Sequence, residues 1–338
     1  MKIIAITPDN KMDAVVPIVI EGLYDLGVEV IATDYGNSVR RVYADEDVIE
    51  HSKTADFIFV LWGKIRDNNP PKYYLLNKIN RPEITAYIDG SEWTATGYPD
   101  DKERVSAPWA KNGTIAKQVY ESKFNPSRCK GTPWINDVMY DYCRWYFKRE
   151  CYQSDADIGI IPFNIGCKMS YLSDDFCDKS VDVVCSFGHL HTGLRWEVYH
   201  FCKRLEKEGY TVDFVSNVSY SEYRKRLSRA YIGVDAWGAG NSSMRTWEIM
   251  GNKTCCFTQS AEILFPNKPT DNVHWIEYSN MKEFELKIYD MLNNKQKCKD
   301  IGIAGYDYTV KYHTGKPRVR YMLDIMRKDI DEDTHRLK

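Results

Sequence analysis

Residues 231–258, YIGVDAWGAGNSSMRTWEIMGNKTCCFT, concentrate the residue types in this chain that are best suited to chemistry. Gly238 and Gly240 let the backbone turn sharply and come close to a ligand. Asn241, Ser242 and Ser243 are helix-capping types, and the unpaired N–H groups of a helix start favour an anion such as phosphate. Arg245 and Glu248 follow three residues apart, which puts them one turn apart on one face of a helix. A cation near a diphosphate and a carboxylate farther along suit a nucleoside diphosphate and its ribose hydroxyls.

Around these residues the segment reads as strand, loop, helix and strand. The run 231–237 is apolar enough for a buried parallel strand. Met244, Trp247 and Met250 recur at helical spacing, and Gly251 is expected to end the helix in a left-handed conformation. Strand and helix alternate along the rest of the chain. In the first half, strands are expected at 2–7, 28–33, 56–62, 83–88 and 158–163, with helices at 13–26 and 134–151. In the second half, strands are expected at 181–187, 211–216, 253–257 and 273–278. The helices there are 194–208, 219–230, 281–293, 296–312 and 318–328. This alternation predicts an α/β protein with two Rossmann-like domains, each a parallel sheet covered by helices. The expected division is 1–165 and 166–315, with 316–338 a terminal helix packing back toward the first domain.

The 338 residues exceed what one hydrophobic core usually serves, about 250–300. The apolar fraction of 43%, the charged fraction of 28% and the net charge of −2 give no global pull toward nucleic acid or an anionic membrane. No apolar run approaches the roughly 20 residues of a membrane span. The first residues read as a strand and not as a signal peptide. The ten cysteines are scattered without a C-x-x-C pair. They are read as reduced core thiols of a cytoplasmic protein. His189 and His191 lack a third ligand at metal spacing, so no metal site is expected. Residues 7–10, Thr7, Pro8, Asp9 and Asn10, depart from G-x-G-x-x-G, and no Walker sequence occurs, which disfavours a dinucleotide dehydrogenase or a P-loop enzyme.

The order and spacing of several segments resemble the GT-B glycosyltransferases, most closely the glycosyl-transferases-group-1 type of spore-maturation-protein-like enzymes. They are VDVVCSF (181–187) with the downstream Arg195, RAYIGVDAW (229–237), NSSMRTWEIMGNKTCCFT (241–258), AEILFP (261–266), VHWIEY (273–278), MKEFELKIYDML (281–292) and IGIAGYDYTVKYHT (301–314). The resemblance implies two Rossmann-like domains facing each other across a cleft, with a nucleotide sugar held by the C-terminal one. It implies that Glu248 accepts from the donor ribose and that Asn241, Ser242, Ser243 and Arg245 hold the diphosphate. The loop with Gly188 and His189, followed by Arg195, would approach the same phosphates. Many retaining relatives carry Glu eight positions before this one, where this chain has Gly240, so the stereochemical outcome stays open.

A transfer of this kind also needs a base for the acceptor hydroxyl. The candidates are carboxylates after strands of the first half: Asp89, Glu92 and Asp9, with Asp34 as a further one. No cofactor is expected beyond the nucleotide-diphosphate sugar, which is a substrate, and no metal is required if Arg245 and the helix start neutralise the leaving group. The acceptor would be a saccharide, a small metabolite or a modified base in DNA. For DNA, Arg40, Arg41, Arg66, Lys72, Lys111 and Lys117 would supply charge, and Trp62, Tyr73, Tyr74 and Trp93 would supply stacking rings. A nucleotide-sugar epimerase of the same fold and a non-catalytic module with a degenerate donor site are the competing readings.

Overall fold

The structure, a computed structural model, describes residues 1–8, 15–34, 38–62, 71–90, 136–173, 177–188, 190, 194–237 and 241–336. It divides into two compact units. Unit 1 comprises Met1–Ile165, Ile263–Pro266 and Gly315–Lys338, and unit 2 comprises Gly166–Glu262 and Asn267–Thr314.

In unit 1, β1 (Lys2–Ile6), α1 (Val15–Asp25), β2 (Glu29–Ala32), α2 (Asp45–Ser52), β3 (Phe57–Trp62), α3 (Tyr74–Ile79) and β4 (Thr85–Asp89) alternate. They are followed by α4 (Asp137–Tyr142), β5 (Trp145–Lys148), α5 (Gln153–Ala156) and β6 (Ile161–Pro162). The sheet is parallel in the order β2-β1-β3-β4-β5-β6. Side chains alternate across it with the strand period of two. Ile3, Ala5, Phe57, Phe59 and Leu61 enter one core with α1, while Ile4, Ile6, Ile58 and Val60 enter the other with Val48, Leu75 and Leu76.

The helix expected over 134–151 is replaced by the short α4 and the strand β5. Trp145 and Phe147 pack in the first core and Tyr146 in the second. Such consecutive burial on opposite sides fits a central strand and not one helical stripe. The strand expected over 158–163 pairs only at Ile161 and Pro162.

In unit 2, β7 (Val181–Cys185), α6 (Arg195–Lys207), β8 (Val212–Phe214), α7 (Tyr220–Arg229), β9 (Ala230–Val234), α8 (Met244–Met250), β10 (Cys255–Gln259), β11 (Ile276–Tyr278), α9 (Met281–Asn293) and α10 (Lys295–Tyr312) follow in chain order. The parallel sheet runs β11-β10-β9-β7-β8. Val183, Cys185, Ile232, Val234 and Phe257 pack against Val198, Phe201, Leu205, Phe284 and Ile288.

The last helix, α11 (Gly315–Arg336), belongs to unit 1. Val319, Met322, Leu323 and Met326 recur at helical spacing and join the core that holds α1. The two helices touch through glycine: a Cβ on Gly22 would lie 2.2 Å from the Gly315 carbonyl oxygen.

Of the ten cysteines, nine fall among the described residues, all free and all buried except the half-buried Cys177. No helix among the described residues is long and apolar enough to cross a membrane.

Candidate functional site

The chain order of the second sheet makes β7 and β9 neighbours whose connections leave in opposite directions, β7 toward β8 and β9 toward β10. Parallel sheets bind ligands outside the carboxyl ends of such a pair, because the diverging connections leave a crevice there. Ser186, Phe187 and Gly188 follow β7, and Asp235, Ala236 and Trp237 follow β9. The helix that returns from β9 is α8, which carries Arg245 and Glu248.

α8 packs closely because β9 carries glycine near its end: a Cβ on Gly233 would meet Ile249 Cγ2 at 2.6 Å. The helix buries Thr246, Trp247, Ile249 and Met250, which leaves Arg245 and Glu248 half-buried on its other side. Ser243 caps it by accepting from the Arg245 N–H at 3.1 Å. With seven residues, α8 offers only a modest dipole, so charge for an anion must come mainly from side chains.

Gly251, expected in a left-handed conformation, has φ −62°. The reversal is carried by Lys253, at φ 55°. Glycine is required at 251 for space, since a Cβ there would lie 2.9 Å from the Trp247 carbonyl and 3.2 Å from that of Tyr171.

Asp235, which the sequence reading did not single out, organises the site. Its carboxylate is buried, with Oδ1 3.2 Å from Arg245 Nη1 and Oδ2 accepting from the Thr246 hydroxyl at 2.6 Å. Its carbonyl accepts from the Tyr278 hydroxyl at 2.6 Å. A sequence cue was available: an acid immediately after a strand, ten residues before an arginine. Burial works against the Arg245 charge, but the carboxylate of Asp235, with Tyr223 and Glu248, raises that guanidinium above the ordinary arginine value. Arg245 is therefore a fixed, permanent cation. Its Nε is buried with no hydrogen-bond partner among the described residues.

Phe187 lies beside two guanidinium groups, with Arg245 5.0 Å and Arg195 5.8 Å from its ring centre. Arg195 donates from Nε to the Ala236 carbonyl at 3.2 Å. The two arginines thus reach the ends of both switch-point strands. Glu248 receives a hydrogen bond on Oε2 from the Tyr223 hydroxyl at 3.3 Å. Burial raises its carboxyl above the usual glutamate value, against the charge of Arg245 and the Tyr223 hydrogen bond, which pull it down. Asn241 and Ser242 are buried at the start of this turn. Gly188 is exposed, and an added Cβ there would meet nothing within 4 Å.

Asp89 ends β4 in unit 1 and is wholly buried, accepting from the Tyr146 hydroxyl at 2.6 Å. Asp34 is half-buried beside Lys72, whose ammonium is 3.7 Å from Asp34 and 3.1 Å from Asp45. Tyr73 is also buried in the core, which removes it as a stacking ring, and Tyr74 donates its hydroxyl to Asp45. Asp9, Glu92, His189, His191, Arg66, Lys111, Lys117, Trp93, Gly238 and Gly240 lie outside the described residues. Among the described residues no three His, Cys, Asp or Glu side chains converge as a metal cluster.

Residues 178–324 match the glycosyl transferase-like family. Three solved structures show the same fold over nearly the whole chain. An α-glucosyltransferase in complex with UDP and a 13-mer DNA containing an HMU base is 8% identical, with a TM-score of 0.57 over 96% of this chain and 99% of that one. HepE of Anabaena in complex with UDP and glucose is 10% identical, with a TM-score of 0.52 over 97% and 100%. T4 phage BGT in complex with UDP and Mn2+ is 12% identical, with a TM-score of 0.51 over 98% and 100%. No curated protein sequence matches the chain. The fold is that of the GT-B glycosyltransferases. The glycosyl transferase-like match, residues 178–324, contains every described residue of the arginine–carboxylate cluster around α8.

Proposed function

We propose that this protein moves a sugar from a UDP-sugar to an acceptor hydroxyl, with unit 2 holding the donor and unit 1 the acceptor. The observation that carries the proposal is the fixed Arg245 and the half-buried Glu248 on one side of α8, at the switch point of the second sheet. Glu248 accepts from the ribose hydroxyls. Arg245 and Arg195 neutralise the diphosphate, helped by N–H groups around Asn241, Ser242 and Ser243 and by the loop at Gly188 and His189. An anion would also satisfy the orphaned Arg245 Nε.

Charge develops on the leaving diphosphate as the glycosidic bond breaks, and pre-placed cations lower the barrier by matching it. Because Asp235 fixes Arg245 beforehand, little reorganisation remains for the reacting state. This would make a metal dispensable, although T4 phage BGT is seen with Mn2+. The acceptor is a saccharide, a small metabolite or a modified DNA base, and HepE with glucose and the α-glucosyltransferase with HMU-containing DNA support the first and last. Buried Asp89 is poorly placed to reach an acceptor, which moves Asp9 and Glu92 ahead of it as candidate bases. A cytoplasmic location is part of the proposal, supported by the free, mostly buried thiols.

The test is calorimetric titration with UDP, GDP, CDP, ADP and dTDP, with and without Mg2+. UDP should bind, and Glu248→Ala should weaken it roughly tenfold or more, the effect of removing a charged hydrogen-bond partner. Absence of nucleotide binding, or unchanged affinity in Glu248→Ala, sinks the proposal. Conversion of the donor sugar without an acceptor would point instead to an epimerase.

A further inference from the structure

We propose that Tyr223 is a positioning residue that makes this site select ribonucleoside diphosphates over their deoxy forms, by holding the Glu248 carboxylate for the ribose diol. The inference rests on the donor reading above and concerns how the carboxylate is held. Tyr223 belongs to α7 and Glu248 to α8, twenty-five residues on, and the phenol donates to Glu248 Oε2 at 3.3 Å. The side chain of Ser186, which follows β7, lies beside the same phenol. The phenol therefore stands between the residue that follows one switch-point strand and the carboxylate on the helix that returns from the other.

No second hydrogen bond to the Glu248 carboxylate occurs among the described residues. Each carboxylate oxygen has two acceptor sites, so Oε1 and the remaining site on Oε2 stay available to two neighbouring hydroxyls. Tyr220 and Tyr171 complete the surroundings, 4.9 Å apart, with Tyr220 6.1 Å from Tyr223. Tyr220 is 38% exposed and brings this aromatic wall to the surface.

The phenol also maintains the state of the carboxylate. An ionised carboxylate offers both oxygens to the ribose hydroxyls purely as acceptors, whereas a protonated one turns one oxygen into an O–H donor. Burial opposes that ionisation, and Arg245 on the same helix, the Tyr223 hydroxyl on α7 and Lys168 favour it, while Asp235 after β9 opposes it. Tyr220 on α7 also lies within electrostatic range of Glu248. Loss of the phenol removes one of the favouring contacts and leaves the carboxylate free to rotate.

The test measures affinities of the full chain for UDP, 2′-deoxy-UDP and 3′-deoxy-UDP. Wild type should prefer UDP, and Glu248→Ala should abolish the preference. Tyr223→Phe should lose most of the preference, roughly a tenfold effect for one charged hydrogen bond, with pyrophosphate affinity unchanged. The acid limb of UDP binding should move to higher pH in Tyr223→Phe. If Tyr223→Phe does not fold, Ser186→Ala takes its place and should lose part of the preference. A wild-type UDP to deoxy-UDP ratio in the variants, while Glu248→Ala abolishes it, overturns the role of Tyr223 and leaves the donor site standing. An acid limb that does not move overturns it as well. No UDP binding by wild type, or a ratio that survives in Glu248→Ala, overturns the donor reading and this inference together.

Discussion

Glu248 combines its proposed role toward the donor with an electrostatic cost. Burial raises its carboxyl, so the folded chain holds the proton more tightly than the unfolded chain does. The ionised form therefore weakens the fold above the folded-state pKa, and the penalty is relieved as pH falls through that value toward the ordinary 4.5. Glu248→Gln should melt higher than wild type at pH 8, with a smaller gap at pH 5, while UDP affinity falls. Differential scanning fluorimetry at the two pH values checks this, and an unchanged or lower melting temperature at pH 8 would count against it. Such opposition of stability and binding is common where a site holds a charge for a ligand. Asp235 instead supports the fold through its two side-chain contacts. Asp235→Ala leaves Arg245 buried without its carboxylate and the Thr246 hydroxyl without its acceptor. It should cost about 3–5 kcal/mol in the urea transition of unit 2, the usual cost of breaking a buried pair from one side. That Arg245 and Glu248 share one side of a helix was legible in the sequence from their spacing of three. The contacts of Asp235 and Tyr223 were not, because their partners lie ten and twenty-five residues away and meet them only through the sheet.

At the scale of elements, strand and helix alternation was readable wherever burial is one-sided or a strand is a short apolar run. Residues 145–147 misled the reading, since an aromatic run next to α4 has the local look of a longer helix. Pairing of β5 with β4 decides the matter by burying both faces. Gly251 shows a related failure: the sequence signals glycine, and the structure makes its use steric and not conformational. The contact of α1 with α11 is equally close. Gly22→Ala would drive a methyl into the Gly315 carbonyl. Overpacking of this kind costs about 1–3 kcal/mol, and more where the obstructing atom is backbone. Chemical denaturation of Gly22→Ala should show that loss in the unit 1 transition, while the second unit keeps the wild-type midpoint.

On the scale of the whole molecule, the chain passes from unit 1 to unit 2 after Ile165, rejoins unit 1 briefly at Ile263–Pro266 and returns to it finally at Gly315. The last helix thus completes the core begun by the first strand. Val319, Met322, Leu323 and Met326 are 0–2% exposed there, and burying each such side chain is worth about 1.5–3 kcal/mol. Together they approach the net stability of a domain. Deletion of residues 315–338 should therefore unfold unit 1, seen as dye binding to exposed apolar surface, and should abolish transfer. The second unit should keep its own transition and UDP binding, and loss of both with the deletion would contradict independent folding of the two cores. By itself the sequence determined the α/β class, the apolar runs of the central strands and the helical face shared by Arg245 and Glu248. Each of these depends on the period of a single element about its own axis. The tertiary structure alone decided that Asp235 fixes Arg245, that Tyr223 holds Glu248, that residues 145–147 form a strand and that the final helix belongs to the first core. Those outcomes depend on which strands lie side by side and where each connection returns, and no local period carries that information.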